Sequence, residues 1–170
     1  MKKALISLVI FLFFSNVFSQ DINQIIVDTT IESEILYGYC DREGLTSEQF
    51  GSWFEPEYQS YMVNDTIIFG INLDFLFSCK ITVVMGTWCS DSQREVPRLH
   101  KILDYLNFPE NKLTMICVDR QKNADRTEVQ ELNIELVPTI IFFNGDEEIG
   151  RIIESPEESL EADMVRIAGQ

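Results

Sequence analysis

Apolar positions fall along this chain in runs of different period. Ala4 to Phe14 is an almost continuous apolar run interrupted by Ser7. Residues 21–35 mix apolar and acidic positions without a clear period, and Ile22, Ile25, Ile26, Val27 and Ile31 suit a strand or edge packing. Phe50, Trp53, Phe54, Tyr58 and Tyr61 recur at steps of three and four. That spacing predicts an amphipathic helix over 46–62, capped by Thr46 or Ser47, with Pro56 opening a second turn. Asn64-Asp65 reads as a turn, Thr66 to Phe69 as a short strand and Asn72 to Phe77 as a short helix.

From Cys79 the pattern sharpens. Lys80 to Met85 and Leu113 to Val118 are β-branched apolar runs, the signature of buried strands. Between them a helix over 90–106 buries Val96, Leu99, Ile102, Leu103 and Leu106. Thr127 to Leu132 suggests a further helix after a polar stretch. Pro138 to Phe143 is a third strand, and Asn144-Gly145-Asp146 turns it into a fourth over 147–153, a strong hairpin signal. Ser155-Pro156-Glu157-Glu158 caps a last helix lined by Leu160, Met164, Val165 and Ile167. The order β-α-β-α-β-β-α implies parallel strands joined by a crossover helix, then an antiparallel edge. There is no internal repeat and no low-complexity tract.

Composition narrows the function classes. With 45% hydrophobic and 24% charged residues, the 170-residue chain has globular proportions. Its net charge of −15 excludes nucleic-acid binding through a basic footprint and argues against docking on anionic lipid. The single histidine, His100, excludes most histidine-based metal sites. Four cysteines are too few to staple a small scaffold and enough for redox chemistry.

The first residues read as an address. Met1-Lys2-Lys3 is a basic start, the apolar run follows, and Val17 and Ser19 suit a cleavage after Ser19. The run is shorter than the ~20 residues that span a bilayer. Residues 1–19 are therefore expected to be a signal peptide, with an uncleaved N-terminal anchor as the alternative. A lipoprotein cysteine at the cut is excluded, since no cysteine precedes Cys40. No later segment is apolar and long enough to cross a membrane, so no span is expected after cleavage. The product is expected to be secreted or periplasmic, where disulfides persist.

The informative segment is Gly86-Thr87-Trp88-Cys89-Ser90-Asp91-Ser92-Gln93-Arg94-Glu95-Val96-Pro97. It places Cys89 where a buried strand turns into a helix. There the sulfur faces unsatisfied N–H groups and the positive end of the helix dipole, and both favour thiolate over thiol. One helical turn brings the Ser92 hydroxyl near the sulfur as a donor, while Asp91 opposes a second negative charge.

At these residues the chain resembles the thioredoxin-like superfamily, and specifically its secreted bacterial members. Trp88-Cys89-Ser90-Asp91-Ser92 matches the family's Trp-Cys-x-x-Cys with serine in place of the second cysteine, giving Cys-x-x-Ser. Pro97 matches a proline in the helix, and Val137-Pro138-Thr139 looks like the cis-proline loop. The likeness covers roughly the last ninety residues. It implies an α/β, thioredoxin-like three-layer sandwich, with a mixed central sheet and helices on both faces, over residues 79–170. Residues 20–78 would be an N-terminal helical extension, such as many secreted members carry.

The resemblance further implies that Cys89 is the nucleophile, that Ser92 supports its thiolate, and that Trp88, Val137 and Pro138 form the substrate surface. No metal or organic cofactor is implied. Expected partners are disulfide-containing proteins or small thiols, together with an external reductant. The departures carry weight. Ser92 cannot resolve a mixed disulfide. The position of the family's buried acid, six residues before the nucleophile, is Val83. Where many members have a glycine near the site, this chain has Ile153 or Glu154.

The remaining cysteines and the histidine have plainer readings. Cys117, mid-strand, and Cys79, before a strand, suit the core. Cys40, among Tyr39-Cys40-Asp41-Arg42-Glu43-Gly44, reads as lying in a polar loop and is the candidate internal resolving thiol. A switchable Cys40–Cys89 disulfide is a weaker variant of that reading. His100 reads as a surface residue. The function expected is a monothiol thiol–disulfide oxidoreductase or isomerase. Its rival is a thioredoxin-like binding module that grips clients or a partner without turnover.

Overall fold

The computed structural model describes residues 22–30 and 32–169. The expected leader, residues 1–19, lies outside the described residues. A six-stranded mixed sheet organises the fold, in the order β1-β2-β4-β3-β5-β6. Its strands are β1 (Gln24–Asp28), β2 (Ser33–Cys40), β3 (Lys80–Met85), β4 (Leu113–Cys117), β5 (Thr139–Asn144) and β6 (Glu147–Ile153). β3 and β4 run parallel, Ile81 opposite Leu113 and Met85 opposite Cys117. The other pairings are antiparallel.

The helices are α1 (Arg42–Leu45), α2 (Gly51–Ser60), α3 (Asp65–Ile68), α4 (Leu73–Ser78), α5 (Ser90–Leu106) and α6 (Leu160–Ala168). The crossover β3-α5-β4, followed by the β5-β6 hairpin and α6, follows the element order expected from the sequence over this part of the chain. Strand alternation sorts the side chains onto two faces. On one face Ile81, Val83, Met85, Met115, Cys117, Ile140 and Phe142 join apolar residues from all six helices in the larger core. On the other, Val84, Ile116 and Val118 meet Ala124, Val129 and Val137 in a smaller one. The cover on that second face is a 3-10 helix, Val129–Glu131, with its flanking loops. It stands where a longer helix over 127–132 was expected.

The extension does more than add helices. β1 and β2 extend the sheet, and β2 pairs with β4, so the sheet runs across the boundary at residue 78. The strand expected at 66–69 is instead α3. Its cap decides this: the Asn64 side chain accepts from Ile67 N–H. α2 starts at Gly51 without a side-chain cap rather than at Thr46, which closes α1 and whose hydroxyl donates to the Arg42 carbonyl. α6 starts later than expected, capped by Ser159. Among the described residues no helix is long and apolar enough to cross a membrane.

His100 is a correction. It is buried in α5, not on the surface. Its Nε2 lies 3.2 Å from Met115 Sδ and its Nδ1 lies 3.0 Å from an Arg42 nitrogen. Phe54 meets its ring edge-on. Burial first, and the neighbouring Arg42 charge second, push its pKa down to about 4. Arg42 in turn pairs with Asp104, which also accepts from Tyr58. These contacts join the extension to α5.

Candidate functional site

The loop between β3 and α5 is held by its own backbone, by β2 and by the residue that follows β4. Gly86 follows β3 where the Trp88 indole lies against the chain. A Cβ on Gly86 would come within 2.5 Å of that ring, so only glycine fits. The Trp88 indole N–H donates to the Val118 carbonyl at 2.9 Å, and Arg120 lies over the ring at 4.9 Å. Leu36 N–H of β2 donates to the Thr87 hydroxyl, and the Gln93 side chain donates to the Thr87 carbonyl. The extension therefore helps to hold the loop that carries the cysteine.

Cys89 is the N-cap of α5, with extended backbone angles. Its carbonyl accepts the first helical bond, from Gln93 N–H. The residue is partly exposed and packs at the margin of the smaller core. Its Sγ donates to the Val137 carbonyl at 3.1 Å. The Val137–Pro138 peptide is cis. The Trp88-Cys89 and Val137-Pro138 pairs, far apart in sequence, thus come together.

Ser92 is completely buried, and its Oγ accepts from Gly86 N–H at 3.3 Å. The expected bond from Ser92 to the sulfur is not formed, because the hydroxyl lies beneath the turn rather than beside the thiol. Asp91 pairs with Arg94 at 2.7 Å, which offsets its charge near the helix start. Arg94 also pairs with the nearly buried Glu95. Glu154 is the residue next to the cis-proline loop. Its N–H donates to the Pro138 carbonyl at 2.7 Å, and its φ of 61° is one that glycine adopts more easily.

Cys40 does not join this group. It ends β2 instead of lying in a polar loop, and Asp41, Arg42 and Glu43 are the cap and first turn of α1. Cys40 is buried in the larger core, its Sγ 2.9 Å from Cys117 Sγ. Cys79 is buried, its thiol donating to the Phe75 carbonyl, and burial pushes its pKa up. Among the described residues no group of three or more His, Cys, Asp or Glu side chains is placed to hold a metal ion.

Sequence reasoning missed Thr87, Val118 and Arg120 as parts of the site. Thr87 and Val118 act through bonds to distant backbone that no local spacing reveals. Gly86 had a legible signal, a glycine between a buried strand and an aromatic residue.

No protein-family model matches the chain, and no curated protein does. Solved structures are similar to it. Thioredoxin O2 from Arabidopsis thaliana in its oxidised state is 17% identical over 61% of this chain and 85% of its own, with a TM-score of 0.40. Thioredoxin O1 from the same plant, also oxidised, is 18% identical over 61% and 87%, with a TM-score of 0.40. A Pseudomonas aeruginosa protein of unknown function is 16% identical over 72% and 80%, with a TM-score of 0.45.

Proposed function

We propose that the chain is a secreted or periplasmic monothiol thiol–disulfide oxidoreductase or isomerase. One observation carries the reading. Cys89, a partly exposed residue, caps the start of a long helix, and its sulfur sits 3.1 Å from the carbonyl that precedes Pro138. The Cys89 thiolate attacks one sulfur of a disulfide in a protein or small molecule. A bond forms between Cys89 and that sulfur, the original S–S bond breaks, and the departing sulfur leaves as a thiolate that takes a proton from water.

Trp88 and Pro138 frame the attacking sulfur, and backbone around Val137 pairs with an extended substrate segment. Ser92 keeps Gly86 in place but offers no thiol. Release therefore falls to an external thiol or to a second cysteine of the substrate. The resident residues need no metal or organic cofactor for these steps.

Two departures favour a second reading, a binding module without turnover. Ser92 stands at the resolving position, and Val83 lies in the apolar core where the family's acid would sit. Exposure of the purified chain to oxidised glutathione, followed by intact-mass analysis, separates the readings. The redox reading expects one glutathionyl adduct on Cys89, removed by dithiothreitol, and none at that position in Cys89→Ser. An unreactive Cys89 in the folded chain would leave only the binding module.

A further inference from the structure

β2 and β4 run antiparallel, with Gly38 opposite Cys117 and Cys40 opposite Met115. Cys40 and Cys117 are therefore diagonal neighbours on one face of the sheet. Cys117 faces a glycine, so no side chain stands directly across from it, and its thiol leans towards Cys40. The sulfurs lie 2.9 Å apart, both residues are buried, and 77 positions separate them in sequence. Both are free thiols in this structure. Neither takes part in the chemistry proposed for Cys89, which packs at the margin of the other core.

We propose that Cys40 and Cys117 form an intramolecular disulfide, a redox-dependent clamp that fastens the N-terminal β1-β2 pair to the central sheet. The bond forms by exchange with a disulfide oxidant such as oxidised glutathione. One cysteine first forms a mixed disulfide and releases one glutathione thiol. The other then attacks it and releases the second. The two cysteines lose two protons and two electrons, and the oxidant becomes two thiols. Closing a loop of this length restricts the unfolded chain more than the folded one.

Two consequences follow. Cys40 is committed within the core and cannot resolve an adduct on Cys89. The clamp also fixes β2, whose Leu36 N–H holds Thr87 in the cysteine-bearing loop. The assignment stands whether or not Cys89 is a nucleophile.

The test refolds the reduced full chain, and its Cys89→Ser variant, in a reduced/oxidised glutathione buffer. The chain is then unfolded in acidic guanidinium chloride to halt exchange, free thiols are capped with N-ethylmaleimide, and the proteolytic peptides are mapped by mass. The expected result in both chains is a Cys40–Cys117 linked peptide, with Cys79 capped. In the wild type, Cys89 is capped or glutathionylated. Recovery of Cys40 and Cys117 as capped thiols, or either one linked to Cys79 or Cys89, overturns the clamp. A Cys89 unreactive towards oxidised glutathione alone, while the linked peptide forms in the redox buffer, overturns the redox proposal and leaves the clamp standing. As a second readout, reduction should lower the thermal midpoint of the oxidised chain by roughly 10 °C. A midpoint indifferent to reduction of a verified link overturns the clamp's structural role.

Discussion

Cys89 and the Cys40–Cys117 pair lie on opposite faces of one sheet, and the contrast between them separates reactivity from composition. Cys89 stands where the cover is thin, at a helix start with free N–H groups and a carbonyl beside its sulfur. Cys40 and Cys117 lie beneath the helices in the larger core. Burial first, then the neighbouring Cys40, holds the Cys117 thiol well above its ordinary pKa. The same side chain lies partly exposed at a helix start in one place and buried against a like partner in the other. The fold builds the helical face to carry stability and the opposite margin to present a sulfur.

Truncating the helical face should expose that division most clearly. Phe54→Ala removes a fully buried ring that stacks on Tyr58 and meets His100. Chemical denaturation should show a loss of about 3–5 kcal/mol. Glutathionylation of Cys89 in the still-folded variant should stay within about twofold of wild type, because the ring belongs to the other core. A tenfold slower adduct would mean that the two faces are coupled.

Acid should attack the same face. His100 is neutral when folded, with a pKa of about 4, and ordinary when unfolded, so the unfolded chain binds the extra proton. Its contribution is present above the unfolded value near 6.5 and is lost as pH falls from there towards 4. The loss amounts to roughly 3 kcal/mol in unfolding free energy. Asp104 acts in the same sense at lower pH. Burial raises its pKa, but bonds from Arg42 and Tyr58 more than reverse the effect and leave it below the usual value. Denaturant midpoints measured from pH 7 to 4 should fall steeply in the wild type and less in His100→Gln. Equal slopes would remove His100 from this role.

The smallest stability effect belongs to the thin face. Trp88→Phe deletes the indole N–H that reaches the Val118 carbonyl, for about 1 kcal/mol. It should nevertheless slow adduct formation at Cys89 more than Phe54→Ala does, since it loosens the loop that holds the sulfur. The reverse ranking of the two variants would break the comparison.

Legibility followed the length and regularity of each pattern. α5 runs over the expected residues because seventeen positions of one period leave little choice. β3 and β6 likewise keep their expected bounds. In the extension, α1 and α3 have four residues each, too few to show a helical period, and caps at Asp41 and Asn64 define them instead. His100 follows Val96 by one turn and precedes Leu103 by three residues, so its spacing already placed it inwards. The surface expectation rested only on its distance from Cys89, eleven residues away, and Phe54, Arg42 and Met115 from elsewhere make its burial tolerable. Cys40 was read through its charged followers, which turned out to belong to the next element.

The sequence by itself determined a mixed α/β sheet and a cysteine at the mouth of its long helix, because local period and turn chemistry act over neighbouring residues. Only the tertiary structure decided which sulfur meets which partner. Val137 beside Cys89 and Cys117 beside Cys40 are contacts across the sheet, set by strand register and burial rather than by anything adjacent along the chain.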